Sequence, residues 1–103
     1  MMEESQKLGG NIELTGFRDT DGSAMIVVKK IVGNYARKIA GRSKKLETIH
    51  VTLKPIHQRE TSEKYEVHAK VLDDGKVYAS EAVDRNLFVA IDDVLKRIVK
   101  EMG

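Results

Sequence analysis

The C-terminal part of the chain has the clearest periodic pattern of apolar and polar residues. Over residues 84–102, apolar side chains recur at spacings that a helix brings to one side: Leu87, Ile91, Val94, Leu95, Ile98 and Met102. A helix with about 3.6 residues per turn aligns such positions into one stripe. Charged residues occupy the opposite side, and Asp84 can cap the first turn. The pattern predicts an amphipathic helix whose apolar stripe covers a sheet.

A second amphipathic helix is predicted over residues 24–40. Its inward positions are Ala24, Val28, Ile31, Val32, Tyr35 and Ile39. The β-branched run at residues 26–28 would favour a strand by propensity alone. The length and the spacing of the pattern favour a helix instead. Asp21 or Ser23 can cap its start, and Gly41 is expected to end it.

Other segments alternate between apolar and polar residues, which is typical of strands with one buried face. They span residues 11–17, 46–55, 62–72 and 77–83, with a polar link at residues 56–61 and a tight hairpin at Asp73-Asp74-Gly75-Lys76. The alternation fails near Glu81, where we expect a bulge. The sheet face turned away from the helices is predicted to carry His50, Thr52, Lys54, Glu66, His68, Lys70, Tyr78 and Ser80.

The order of these elements, β-α-β-β-β-α, defines the expected fold class. Two helices with one apolar stripe each can pack on one face of a four-stranded sheet, which gives an α+β two-layer sandwich. The other face can stay solvated, as antiparallel sheets often do. Residues 11–103 are predicted to form this single domain. Residues 1–10 have no periodicity, contain Gly9-Gly10 and are expected to be a flexible tail.

Composition excludes several classes of protein. The 103 residues suffice for one domain, and the absence of cysteine excludes disulfides and thiolate chemistry. Residues 1–10 are too polar for a signal peptide, and no apolar run approaches the roughly 18 residues of a membrane span. We therefore expect a cytoplasmic protein without a membrane partner. The net charge of +2 says little, so the distribution of charge matters more.

The charge distribution is most uneven between residues 29 and 45. This stretch has no acidic residue and seven basic ones: Lys29, Lys30, Arg37, Lys38, Arg42, Lys44 and Lys45. A solvated helix face normally mixes both signs of charge. Chance clustering on such a face is the alternative, but the run favours a surface that binds phosphates.

Two neighbouring sequence motifs occur in the same order and at a similar spacing as in a known protein family. The residues DDGKVYAS at 73–80 are followed by NLFVAIDDVL at 86–95. They resemble the ribosome hibernation-promoting factors, in which a Gly-led strand ending near Ala-Ser leads to an aromatic-Ala-Ala-Ile-Asp helix. The residues IELTG at 12–16 are similar to the first strand of that family. The resemblance spans residues 11–102.

The resemblance implies a domain related in shape to double-stranded-RNA-binding domains. Such a domain lodges in the small ribosomal subunit, where messenger and transfer RNA would sit, and represses translation. It also implies ribosomal RNA contacts from the two helices: Lys30, Arg37 and Lys38 from the first, and Lys96, Arg97 and Lys100 from the second. Asp92, Asp93 and Glu101 depart from the pattern and dilute the positive charge of the second helix. We expect no counterpart of the additional domain with which long family members join two ribosomes.

Sites for other chemistry are less well supported. His50 and His68 can be neighbours on adjacent strands, but no third ligand such as Glu66 stands at a recognisable spacing. Histidines that face water are the favoured interpretation, so we predict no metal and no cofactor. Ser80 lacks a Gly-x-Ser-x-Gly setting, and we predict no enzyme. Tyr78 is a candidate for an exposed ring that stacks on an RNA base.

Three functions remain open at this point. The first is a factor that binds the small ribosomal subunit, and it requires the basic faces of both helices to form one connected surface. The second is a general binder of structured or double-stranded RNA. The third is a protein-interaction module that forms a homodimer through the solvated sheet face or an edge strand.

Overall fold

A computed structural model describes residues 5–7, 11–54 and 64–103. The elements in chain order are β1 (Ser5–Lys7), β2 (Ile12–Thr15), α1 (Gly22–Arg42), β3 (Leu46–Leu53), β4 (Tyr65–Asp73), β5 (Lys76–Asp84) and α2 (Leu87–Met102). From β2 onwards the order is β-α-β-β-β-α. The predicted α+β class and layout are confirmed. The predicted link at residues 56–61 lies outside the described residues.

The strands form one mixed sheet in the order β1-β2-β3-β4-β5. β2 and β3 are parallel, because α1 connects them as a crossover, and the other neighbours are antiparallel. β1 was not predicted. Within the stretch expected to be a tail, Ser5–Lys7 pairs with the outer edge of β2. Three residues are too few for a periodic pattern to reveal a strand.

The hydrophobic core lies between the helices and one face of the sheet. The largest fully buried side chains come from every layer: Leu14, Val28, Val32, Ile39, Ile49, Val51, Val67, Val71, Ile91, Val94, Leu95 and Ile98. Burying one such side chain contributes about 1.5–3 kcal/mol relative to leaving it exposed. Packing of these two helix stripes on the strands therefore holds the helix layer in place. No helix in the described part of the chain is long and apolar enough to span a membrane.

Gly16 joins β2 to the turn before α1 and has a φ of +87°. A Cβ atom at this position would lie 2.1 Å from the carbonyl oxygen of Leu53. Only glycine combines this backbone conformation with so close an approach. The residue therefore fixes how the chain leaves the sheet towards α1.

The ends of both helices differ in part from the prediction. Asp21 caps α1 as expected, since its carboxylate accepts a hydrogen bond from the Ala24 amide at 2.8 Å. Gly41 does not end the helix. It lies within α1, and Ser43 follows as the C-cap, with its Oγ donating to the Ile39 carbonyl at 2.6 Å. A serine cap of this kind needs no positive φ, so glycine is not required there.

α2 begins later than predicted. Asn86, rather than Asp84, is its N-cap, because the Asn86 side-chain oxygen accepts hydrogen bonds from the amides of Phe88 and Val89. Asp84 ends β5 and accepts a hydrogen bond from the Asn86 amide at 2.8 Å. Asp and Asn are both favoured N-cap residues, so the sequence alone does not show whether Asp84 or Asn86 caps the helix.

The orientation of β5 corrects a second prediction. Its pairing with β4 runs without a break from Asp73↔Lys76 to Tyr65↔Asp84, so the bulge expected near Glu81 is absent from this pair. The irregularity lies in β3 instead, between Leu46 and Thr48. Tyr78 and Ser80 pair with Val71 and Ala69, which places them on the helix side of the sheet and not on the open face. The apolar Val77 and Val83 lie on the outer face and are more than half exposed, which obscures the alternation.

The register of β5 follows from the hairpin that precedes it. Asp74 and Gly75 have φ values of +50° and +81°, as expected for the tight turn predicted at this point. A two-residue turn fixes which residues of β4 and β5 face each other. Glu81 is therefore set directly opposite His68.

Candidate nucleic-acid interface

The basic segment comprises the seven cationic residues of α1 and the loop that follows it. All seven are exposed: Lys29, Lys30, Arg37, Lys38, Arg42, Lys44 and Lys45. Within residues 11–54 and 64–103, none of them forms an ion pair. Their charges are therefore available to an external anion, and the absence of acids between residues 29 and 45 leaves the local potential positive.

The helix geometry aligns part of this segment in a row. Lys30 and Arg37 are seven positions apart, which is close to two helical turns, and Asn34 lies between them. Arg37 Nη1 donates a long hydrogen bond of 3.5 Å to the Asn34 side-chain oxygen. This weak contact leaves most of the five guanidinium donors of Arg37 free.

The buried carboxylate of Asp73 holds the backbone of the loop that carries Lys44 and Lys45. Asp73 is 7% exposed, and its Oδ1 accepts hydrogen bonds from the amides of Lys44 at 3.1 Å and Lys45 at 2.7 Å. The Asp74 amide donates to the Lys45 carbonyl at 2.9 Å. These bonds fix the backbone of the loop while both lysine side chains point outwards. Sequence reasoning treated Asp73 as a turn residue and missed this role.

The two helices are linked at one polar contact. The Tyr35 hydroxyl donates a hydrogen bond of 2.8 Å to Asp92 Oδ1. Lys38 Nζ lies 5.1 Å from the centroid of the Tyr35 ring, and Lys96 Nζ lies 3.6 Å from Asp92 Oδ2. One cation of α1 and one of α2 therefore flank the same Tyr35–Asp92 pair.

The ionisation of Tyr35 follows from this setting. Burial, the hydrogen bond to Asp92 and the charges of Asp92 and Asp93 raise the pKa of Tyr35 to about 12. The hydroxyl therefore keeps its proton at neutral pH and remains the donor that joins the helices.

The remaining predicted residues of α2 are placed differently. Arg97 turns towards β5, where it donates to the Glu81 carbonyl at 3.0 Å and lies 3.5 Å from Asp93 Oδ2. Lys100 is exposed and has no ion pair with any described residue. The structure thus brings Lys96 to the contact with α1 and separates Arg97 from it.

Tyr78 is half-buried and packs against the core from the helix side of β5. Lys76 Nζ lies 4.9 Å from the centroid of its ring. The open-face position predicted for this ring is wrong, because β5 pairs with β4 in an unbroken register. Stacking of Tyr78 on a base stays a prediction.

The open face of the sheet contains a shallow groove of about 480 Å³. His50 and His68 both line it, together with Thr52, Lys70, Ala79 and Glu81. His50 Nε2 is hydrogen-bonded to Thr15 Oγ1 at 2.7 Å, and His68 Nε2 donates to Glu66 Oε2 at 2.6 Å. The groove and the helices lie on opposite faces of the sheet. His57, the third histidine, lies outside the described residues.

Comparisons with known proteins identify the fold. No family model and no curated protein matches the chain. A ribosomal subunit interface protein from Coxiella burnetii has a similar structure, with a TM-score of 0.56 and 14% identity over 89% of this chain and 90% of that chain. The N-terminal domain of Protein Y from Thermus thermophilus gives a TM-score of 0.52 and 16% identity over 89% and 91% of the two chains. The resemblance found in the sequence is therefore confirmed at the level of the fold.

Proposed function

We propose that this protein is a hibernation-type factor that binds the ribosome through phosphates of ribosomal RNA. The observation that carries the proposal is that cations from both helices lie at one contact within the helix layer. Lys38 lies over the Tyr35 ring and Lys96 lies beside Asp92, so a cation from each helix flanks the hydrogen bond that joins α1 to α2. The ribosome-binding hypothesis from the sequence requires the basic faces of both helices to be adjacent, and this arrangement supports it.

The similar structures support a ribosomal partner. One is described as a ribosomal subunit interface protein and the other as a domain of Protein Y, and each is covered almost entirely by this fold. The surface chemistry of this chain supplies the independent argument.

That chemistry suits RNA phosphates rather than base edges. Lysine and arginine side chains on a convex helix position a protein on a phosphate backbone without reading sequence. The seven cations of the basic segment, which form no ion pair within the described part of the chain, are enough to neutralise several phosphates. Because each neutralised phosphate releases condensed counterions, the affinity must fall steeply as salt rises.

The proposed site is the channel of the small subunit that messenger and transfer RNA occupy during translation. A domain bound there represses translation by occupying the channel and performs no chemical step. A cytoplasmic location follows from this proposal, and binding depends on the fold and its charges alone.

The test is co-sedimentation of the purified protein with isolated small ribosomal subunits at low and high salt. Naked structured RNA serves as the competitor. Salt-sensitive binding to subunits that survives the competitor supports the proposal. If any naked structured RNA competes the protein off the subunits, the protein is a general RNA binder instead.

The protein-interaction function has one specific observation in its favour. Val77 and Val83, on the outer face of the edge strand β5, are 52% and 56% exposed. A homodimer through this edge predicts a mass that rises with protein concentration. That result, together with no subunit binding at any salt, would contradict the ribosomal proposal.

A further inference from the structure

Three potential metal ligands converge on the open face of the sheet. The side chains of Glu66, His68 and Glu81 each offer one ligand atom, and these atoms all lie within 4.8 Å of one another. His68 Nε2 lies 2.6 Å from Glu66 Oε2 and 3.6 Å from Glu81 Oε2. The histidine nitrogen therefore stands between two carboxylates.

The strand pairing explains why the three residues meet. Glu66 and His68 are two positions apart on β4, so their side chains leave the same face of the sheet. Glu81 lies directly opposite His68 on β5. Neighbouring side chains on one face of an antiparallel pair have Cβ atoms about 4.5–5.5 Å apart. The scaffold of two paired strands thus holds the three ligand atoms within 4.8 Å of one another.

The distances suit a small divalent ion. Zinc binds histidine nitrogen at about 2.0–2.1 Å and carboxylate oxygen at about 2.0–2.2 Å, so neighbouring ligand atoms lie about 3.3–3.5 Å apart. The separation of 3.6 Å between His68 Nε2 and Glu81 Oε2 already matches. Glu66 Oε2 has to withdraw by less than about 1 Å. Its side chain is 49% exposed, so it has room to do so.

We propose that Glu66, His68 and Glu81 bind a divalent transition metal ion of the zinc type. One imidazole and two carboxylates are ligands that zinc, cobalt and manganese accept, and a tetrahedral ion would keep one position open to the groove. On binding, the metal takes a lone pair of Nε2, so the proton that Nε2 donates to Glu66 must leave: the imidazolium releases it to solvent, and the neutral ring transfers it through solvent to Nδ1.

The metal would join β4 to the edge strand β5. Because a ligand that binds the folded chain alone stabilises it, saturating zinc raises the unfolding temperature. The site lies on the sheet face opposite the basic segment and does not rest on the proposed function. Ribosome binding and metal binding can therefore fail separately.

An exposed ion pair is the competing explanation for the same geometry. A histidine beside two glutamates at a surface contributes at most about 1 kcal/mol and needs no metal. An ion pair predicts no saturable uptake of metal. It also predicts no difference between replacing His68 and replacing another histidine of the chain.

The experiment is isothermal titration of the untagged protein with zinc chloride in a buffer without chelating components. The chain has three histidines, so the matched control is a variant with His50→Gln and His57→Gln, which keeps His68 alone. The site variants are His68→Gln and Glu81→Gln. Circular dichroism verifies that each variant folds, and unfolding temperature with and without zinc gives a second measurement.

The proposal predicts one zinc ion per chain in the wild type and in the control variant, with affinities within about twofold of each other. His68→Gln should weaken binding more than about tenfold, and Glu81→Gln by about tenfold, and both should lose the rise in unfolding temperature. Equal affinity in the wild type and His68→Gln would overturn the proposal. Loss of binding in the control variant would overturn it as well.

Discussion

The two helices share one layer and are both amphipathic, yet they differ in how many of their cations form ion pairs with neighbouring acids. The basic segment of α1 faces solvent with no ion pair among the described residues. On α2, Lys96 lies 3.6 Å from Asp92 and Arg97 lies 3.5 Å from Asp93, each pair four positions apart. Acids placed one turn before their partners partly neutralise the helix that carries them. The number of basic residues is therefore a poor measure of the charge available to a ligand.

This difference assigns separate roles to the helices. α1 and its loop offer cations that have no ion partner among the residues described, and they form the main contact surface of the proposed interface. α2 adds Lys96 and Lys100 at the border and contributes mainly through its buried stripe.

Charge reversal on α1 should have the largest effect on binding. A variant with Arg37→Glu and Lys38→Glu loses two phosphate contacts, each worth about 1.5 kcal/mol or more, so affinity for small subunits should fall about 100-fold. Both residues are exposed, so the fold should persist. Equilibrium binding to small subunits at several salt concentrations measures this loss and the expected decrease in salt dependence.

The matched control for this reversal lies outside the two helices and the loop after α1. Lys54 and Lys70 are exposed, and the variant with Lys54→Glu and Lys70→Glu changes the net charge by the same amount. Its affinity should stay within a few-fold of the wild type. Equal losses in both double variants would show that only the total charge matters.

Removing the carboxylate under the basic loop should have the next largest effect. Asp73→Ala leaves the amides of Lys44 and Lys45 without their partner, which should cost about 1–3 kcal/mol of unfolding free energy. The freed loop no longer fixes its two lysines, so affinity for subunits should fall as well. Urea unfolding and subunit binding measure the two effects. A variant of full stability would contradict the role of Asp73.

Neutralising the acids of α2 should strengthen binding. A variant with Asp92→Asn and Asp93→Asn removes the partners of Lys96 and Arg97, and affinity for small subunits should rise about two- to fivefold. A variant with Glu13→Gln and Asp19→Asn removes two acids outside α2 and serves as the control. If the control gained as much affinity, the pairing on α2 would not be the cause of the difference between the helices.

Removing the hydrogen bond between the helices should have the smallest effect, and this effect is on stability. Tyr35→Phe removes the hydrogen bond to Asp92 and should lower the unfolding free energy by about 1 kcal/mol at neutral pH. The pKa of Tyr35 is raised from 10.0 to about 12 in the folded protein. The folded state then holds its proton more tightly than the unfolded chain, so this stabilisation is complete below pH 10 and is lost as pH rises towards 12.

Urea unfolding of the wild type and Tyr35→Phe at intervals from pH 9 to about pH 11.5 tests this dependence. Lysines titrate in the same range in both proteins, so the informative quantity is the difference between the two stabilities. That difference should shrink as pH rises. A constant difference would show that the Tyr35 hydroxyl is not coupled to folding.

The sequence predicted the features of this fold that repeat locally. Residues close together in the chain were enough to predict the apolar stripes of both helices and the hairpin at Asp74-Gly75. They also predicted the inward row of β3, which is Ile49, Val51 and Leu53. The basic segment was visible for the same reason, since its charges are close together in the chain.

Contacts between distant residues were not predictable in this way. Tyr35 and Asp92 are 57 positions apart, and only the packing of the helices brings them together. Glu81 was missed as a partner of His68 because the exposed Val77 and Val83 made β5 look bulged. Asp73 resembled an ordinary turn residue until its hydrogen bonds to the loop of Lys44 and Lys45 were known.

Site-specific cross-linking tests the central role of α1 most directly. The chain has no cysteine, so a single cysteine can carry a photoreactive probe. Gly41 lies in α1 between the basic residues, and a side chain there meets no atom within 4 Å. Ala79, exposed on the open sheet face, provides the control position.

The probe at Gly41→Cys should cross-link to RNA of the small subunit, and this cross-link should disappear at high salt. The probe at Ala79→Cys should give little or no RNA cross-link while the protein is equally bound. Equal cross-linking from both positions, or cross-linking from Ala79→Cys alone, would contradict the assignment of the RNA-binding surface to α1.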